Sequence, residues 1–249
     1  MTALARGLSV LRAFGPENRP LGNAEIAERV GLAKATVSRI TFTLTELGYL
    51  RFAEDTGRYH LGPGVLTLGY DVMAQLEIRE IARPYMQELA DYADASVFLG
   101  APDGTELIYV EACRSPASMS IRLGVGSRIP MPTTGMGRAY LAALPDDEFK
   151  AMTAKLAKHY AADWKAMEAP MKRAVKLAKT RGFALALGEW IPDANSAGAA
   201  IRRADGFPVY AINAGGLRSI ITDERIEKDL GPRVLGLARQ IEHVARGLL

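Results

Sequence analysis

Lys34, Ala35, Ser38, Arg39 and Phe42 are types that can do recognition chemistry at the spacing that puts them on one side of a helix, and Thr36 stands near its start. At 100° per residue, Val37, Ile40, Leu44 and Leu47 form one stripe, and Ala35, Ser38, Arg39, Phe42 and Glu46 fall opposite, with Lys34 and Thr45 at the margin. An arginine can grip guanine through two parallel hydrogen bonds, a serine can donate to or accept from any base, and an alanine methyl can meet a thymine methyl. Lys34 and Thr36 sit near the helix start, where free backbone N–H groups already favour phosphate. Such a face suits the major groove of double-stranded DNA. On this helix alone, an ordinary amphipathic helix with a solvated face explains the pattern equally well. Phe42 is the departure: it either stacks on a thymine methyl or packs on a partner.

A reading face needs a scaffold. Ile26, Ala27 and Val30 make an apolar stripe on a preceding short helix, and Gly31-Leu32 supplies a break and an anchor, so Ala24 to Leu47 reads as a helix-turn-helix. Gly48 stands where a left-handed C-terminal residue is expected. Tyr49 to Ala53 and Arg58 to Leu61 flank the turn Glu54-Asp55-Thr56-Gly57, predicting a hairpin, or wing. Arg58 is expected to reach a neighbouring phosphate or minor groove. Upstream, Leu4 to Phe14 predicts a helix with Leu4, Leu8, Leu11, Val10 and Phe14 on a stripe broader than one small domain needs.

The run GLAKATVSRITFTLTELGYLRFAEDTGRYHLGPGVLTLG, followed in order by LEIREIARPYMQELA, GSRIPMPTTGMGRAYLAALP and DGFPVYAINAGG, resembles the IclR family of bacterial transcriptional regulators over nearly the whole chain. The resemblance implies an α+β chain: a winged helix-turn-helix DNA-binding domain at 1–62, a linker helix at 63–78, and a GAF-like α/β effector-binding domain at 79–249. It implies a ligand-responsive regulator that binds a double-stranded DNA operator and senses a small organic acid. Repression of a catabolic operon is the expected sign, with activation as the alternative. It also implies a homodimer or homotetramer, in which the excess apolar surface of the first helix is a dimer contact; plain core is the other reading.

The second domain carries its own chemistry in PTTGMGRAYL. Thr133 or Thr134 is a good N-cap, and Gly135 and Gly137 would let a ligand approach the first turn, where N–H groups and the positive dipole end seat a carboxylate. The competing reading is a glycine-rich helix start packed on a sheet. By the resemblance, this helix start lines the effector pocket and faces DANSAGAA and AINAGG. Many relatives place a cysteine where this chain has Ser196 and an acid where it has Ala186, which disfavours a small polar keto acid. Asn213, Arg122, Glu189 and Trp190 are candidate polar contacts, and Tyr109, Ile121, Leu123, Met131 and Met136 candidate walls. The expected ligand is an aromatic or medium-sized carboxylate.

The remaining pattern predicts strands at 96–102, 106–113 and 119–126, helices from Asp146 to His159 and Asp163 to Arg181, and strands AGAAIRR and PVYAINAGG. A last helix, Asp223 to Leu249, should bury Ile226, Leu230, Val234, Leu237, Ile241 and Val244. Together these make a mixed sheet flanked by helices. Net charge is only +3, and the first 61 residues hold eight basic side chains against six acidic, so the case for DNA rests on placement. Cys113 is the only cysteine, which fits a reduced, cytoplasmic setting, and no run of 18 apolar residues predicts a membrane span. His60, His159 and His243 lie far apart in no ligand spacing, and no nucleophile or phosphate-loop motif appears. No catalytic residue, metal or cofactor is therefore expected; a ligand carrier or hydrolase on this fold is the competing class.

Overall fold

Thr2 caps the first helix, α1 (Ala3–Arg12), by accepting from the Ala5 N–H, and α1 sends Val10 and the following Phe14 into a small core. In α2 (Asn23–Val30), the Glu25 carboxylate folds back to accept from the Gly22 N–H at 2.9 Å, satisfying a first-turn donor. Gly31, at φ +65°, ends α2 in the left-handed conformation, which a side chain would resist, and turns the chain into α3 (Lys34–Glu46). The hairpin β1 (Leu50–Ala53) and β2 (Arg58–Leu61) pairs antiparallel, and Leu21 bridges onto Tyr59. Val10, Phe14, Leu21, Ile26, Val37, Leu44 and Leu50 close the core. Leu47 was expected on that stripe but is exposed; Thr41 takes an inner place instead, donating its hydroxyl to the Ser38 carbonyl at 3.1 Å. Leu4 and Leu8 stay outside the core. α4 (Gly64–Gln75) follows with Leu66, Leu68 and Tyr70 exposed.

This computed structural model describes residues 2–15, 19–116 and 123–249. The chain divides into two units, Met1–Leu76 and Glu77–Leu249.

The second unit is built on six strands: β3 (Ser96–Asp103), β4 (Glu106–Arg114), β5 (Arg128–Pro130), β6 (Ala184–Leu187), β7 (Ala194–Arg202) and β8 (Pro208–Leu217). They lie in the order β5-β4-β3-β8-β7-β6, and every pairing is antiparallel, so the expected mixed sheet is corrected. Of the predicted strand at 119–126, residues 119–122 lie outside the described residues. The rest is a turn in which the Gly124 and Ser127 backbones bond each other and Gly126 has φ +87°.

α5 (Glu77–Ala93) crosses the sheet as expected, and the buried Glu111 of β4 holds it there through Arg79 at 3.2 Å and Arg83 at 2.9 Å. On the opposite face, α6 (Gly135–Ala143), α7 (Asp146–Tyr160) and α8 (Trp164–Arg181) bury Met136, Tyr140, Leu156, Met171 and Val175 against Phe98, Tyr109 and Ala211. The predicted terminal helix is three pieces: α9 (Asp223–Arg225), a π turn (Ile226–Leu230) and α10 (Gly231–Val244). Pro232 has no N–H to donate, and a wider turn just before it absorbs the break. Ile226, Leu230, Val234, Leu237 and Ile241 are buried as predicted, but Val244 is exposed.

Candidate functional site

The first candidate surface is the outward side of α3. Lys34, Ala35, Ser38, Arg39 and Phe42 are exposed together there, with Thr36 half-buried beside them. Ala33 offers no side-chain cap, so the Lys34 and Ala35 N–H groups stay open to an anion. Arg39 makes one long bond, Nε to the Ala35 carbonyl at 3.4 Å, which leaves its two terminal nitrogens available. Ser38 donates to the Lys34 carbonyl at 3.1 Å and accepts from the Asn23 side-chain amide, so its hydroxyl is oriented rather than free. Asn23 was not anticipated, because a contact 15 residues away leaves no periodic trace. Phe42 is 67% exposed.

Arg58 is not where the wing reading put it. Its guanidinium donates to the Pro20 carbonyl at 2.9 Å and to Glu25 at 2.9 Å, beside Arg19. The Leu21–Tyr59 bridge draws segment 19–21 alongside β2 and brings these acceptors into reach. Glu25 sits below the usual carboxylate range, chiefly through the Gly22 N–H bond and then through Arg58, Arg19 and Arg29. The wing tip instead presents Glu54 and Asp55, and the exposed cation of the hairpin is Arg51, opposite His60.

The second candidate is a cavity on the α6 side of the larger sheet. Ser96 and Phe98, Tyr109, Ala186, Ser196 and Asn213 line it from five strands, Thr134 from the start of α6, and Leu123, Trp190 and Ile191 from turns. Its volume, mouth included, is about 700 Å³, room for a small molecule. The Phe98 and Tyr109 rings stack 4.2 Å apart and 5° from parallel, forming an aromatic wall. Burial pushes the Tyr109 phenol up, against a hydrogen bond offered by Asn213. Ser196 lies directly across from Ala186 in the β6–β7 pair, so the exchanged residues share one wall.

The glycines do other work than expected. A Cβ on Gly135 would lie 2.8 Å from the Ser196 carbonyl oxygen, one on Gly137 2.3 Å from Met131 Cα, and one on Gly198 2.6 Å from Met136 Cα. They let α6 press onto β7 and the Met131 turn. The carboxylate seat is also occupied by protein: Ser196 Oγ accepts from the Gly135 N–H at 3.3 Å, and Thr134 Oγ1 from the Gly137 N–H at 3.1 Å. Gly135, Gly137, Met131 and Met136 therefore do not line the cavity, and both methionines are fully buried in the core. Tyr109, Leu123, Thr134, Trp190, Ser196 and Asn213 do line it; Ile121 and Arg122 lie outside the described residues.

Sequence reasoning missed Arg138. It is almost wholly buried and donates to the carbonyls of Pro132 at 2.8 Å and Leu185 at 2.9 Å, and to Glu189 at 2.7 Å. The other Glu189 oxygen accepts from the Leu187 N–H, so Arg138 staples the turn that carries Trp190 beside the cavity. Cys113 is buried in β4, its thiol pushed up by burial. Among the described residues, no three His, Cys, Asp or Glu side chains gather to hold a metal, and no helix is long and apolar enough to cross a membrane.

Residues 3–54 match the pattern of the IclR helix-turn-helix domain, and residues 70–243 that of the C-terminal part of bacterial transcriptional regulator IclR. An IclR family transcriptional regulator from Brucella abortus is 38% identical, covering 98% of this chain and 92% of that one at a TM-score of 0.82. The Pca regulon regulatory protein of Pseudomonas putida is 29% identical over 98% of this chain and 84% of its own length. An IclR homologue from Microbacterium hydrocarbonoxydans, solved with 4-hydroxybenzoate, shares the fold at 20% identity and a TM-score of 0.72, covering 99% of this chain and 98% of that one. With both halves of the pattern present in order, this chain belongs to the IclR family of ligand-responsive bacterial transcriptional regulators.

Proposed function

We propose that this regulator represses a catabolic operon, reading its operator through α3 and responding to a small aromatic acid held in the cavity of the second unit. Lys34 and Thr36 hold phosphate, Ala35, Ser38 and Arg39 face base edges, and Phe42 sits against a thymine methyl or a partner. Arg58 positions the motif by tying β2 to Pro20 and Glu25. Functionally, residues 1–62 read, 63–78 link and 79–249 sense. The observation that carries the ligand class is the stacked Phe98–Tyr109 pair, which lines the cavity with aromatic surface. The 4-hydroxybenzoate complex of the Microbacterium homologue supports the same class.

The working form is a homodimer or homotetramer. Leu4 and Leu8 on α1 and Leu66, Leu68 and Tyr70 on α4 are large apolar side chains without cover in one chain, and burying them in a second copy would stabilise both. A two-fold dimer reads two half-sites about one helical turn apart, or a multiple of it.

The test is a reporter placed behind DNA selected by the purified protein, with aromatic and aliphatic acids supplied in turn. Induction by an aromatic acid alone supports the reading. Induction by aliphatic keto acids alone refutes the ligand class, and a reporter that needs the protein to be active refutes repression.

A further inference from the structure

Resting on the reading of the cavity as the effector site, we infer that Tyr109 and Asn213 form a subsite for a hydroxyl group on the effector. Asn213 lies directly across from Phe98 on one side and Gly198 on the other, so its side chain shares the cavity face of the sheet with the Phe98–Tyr109 stack. It is 95% buried by its 5% exposure, and its Oδ1 has no hydrogen-bond partner. Its amide offers a hydrogen bond to the Tyr109 phenol.

That internal bond uses one donor and one acceptor of the pair. With the amide as placed, the phenol O–H, the second amide N–H and Asn213 Oδ1 are left over; with the amide turned about, both amide N–H groups and the phenol oxygen are left over. Either way the pair keeps at least one donor and one acceptor for a group in the cavity. A hydroxyl matches both at once, a methyl or hydrogen matches neither, and a carboxylate brings acceptors only. The Ser96 hydroxyl, on the same face of β3, can follow either pattern. Buried polar groups left unmet by an analogue that lacks the hydroxyl make a site of this kind discriminate by about tenfold or more.

The test is calorimetric titration of the full chain with two pairs of acids, 4-hydroxybenzoate against benzoate and lactate against propionate. Wild type should bind 4-hydroxybenzoate at least tenfold more tightly than benzoate. In Tyr109→Phe, which keeps the ring, and in Asn213→Ala, that ratio should fall to threefold or less. Equal binding of the two aromatic acids by wild type overturns the subsite and leaves the aromatic reading standing. Preference confined to lactate over propionate upholds the subsite and overturns the aromatic class. Binding of none of the four overturns both, and a preference unchanged in both variants overturns the assignment to this pair.

Discussion

Two arginines 19 residues apart should fail in opposite ways. Arg39 is exposed, its one bond is a 3.4 Å contact to its own helix, and alanine is as good a helix former. Arg39→Ala should therefore leave stability within about 0.5 kcal/mol of wild type. On DNA it removes a bidentate grip on guanine, worth about 1–3 kcal/mol, or roughly 5- to 150-fold in affinity, and relaxes preference at one base position. Arg58 joins β2 to Pro20 and Glu25, but its side chain is 41% exposed and that of Glu25 34%, so water screens the pair. Arg58→Ala should cost about 1 kcal/mol after that discount. In a unit of about 76 residues this is roughly 4–8 °C in Tm. Scanning calorimetry and fluorescence anisotropy on a selected duplex separate the two effects. Equal weakening of Arg39→Ala on every sequence would show that it only holds phosphate. Loss of DNA affinity in Arg58→Ala with Tm unchanged would refute its positioning role.

Gly137→Ala adds a methyl whose three nearest atoms all belong to the Met131 backbone, which cannot swing aside. It should destabilise the second unit by roughly 1–3 kcal/mol by calorimetry, despite the gain in helix propensity, whereas Gly69→Ala, on open space in α4, should not. Glu25 titrates below its ordinary range, so its contribution is fully present above the ordinary carboxylate pKa of about 4.3 and is lost as pH falls through the lowered value. The first unit of wild type should lose Tm on acidification through this window, and Glu25→Gln should start lower at neutral pH and change less. A parallel decline in both proteins would show that Glu25 is not the titrating group.

The helix pair was legible because Ile26, Val37 and Leu44 repeat at helical spacing around Gly31, and both signals are local. The hairpin was legible from its turn. Arg58 was misplaced because its acceptors come from segment 19–21, beside β2 only after the Leu21–Tyr59 bridge forms. In the second unit, strands β3, β4, β7 and β8 follow from alternation and Gly turns, and those turns make β3–β4 and β7–β8 antiparallel; no local signal fixes the direction in which β3 meets β8. Gly135 and Gly137 were read as a gap for ligand, since a sequence shows that a side chain is missing and not what fills the space. Met131 and Met136 were placed at the cavity for their apolar character, which serves core equally well. Arg138 was passed over because burial of a charge is visible only once its three acceptors converge.

The most direct test of the whole account measures operator affinity by anisotropy with and without a saturating cavity ligand, and cavity affinity with and without operator. Ligand should change operator affinity by roughly 5- to 150-fold, the equivalent of about 1–3 kcal/mol of coupling, and operator should change ligand affinity by the same factor. Tight binding of both with neither affecting the other would contradict it.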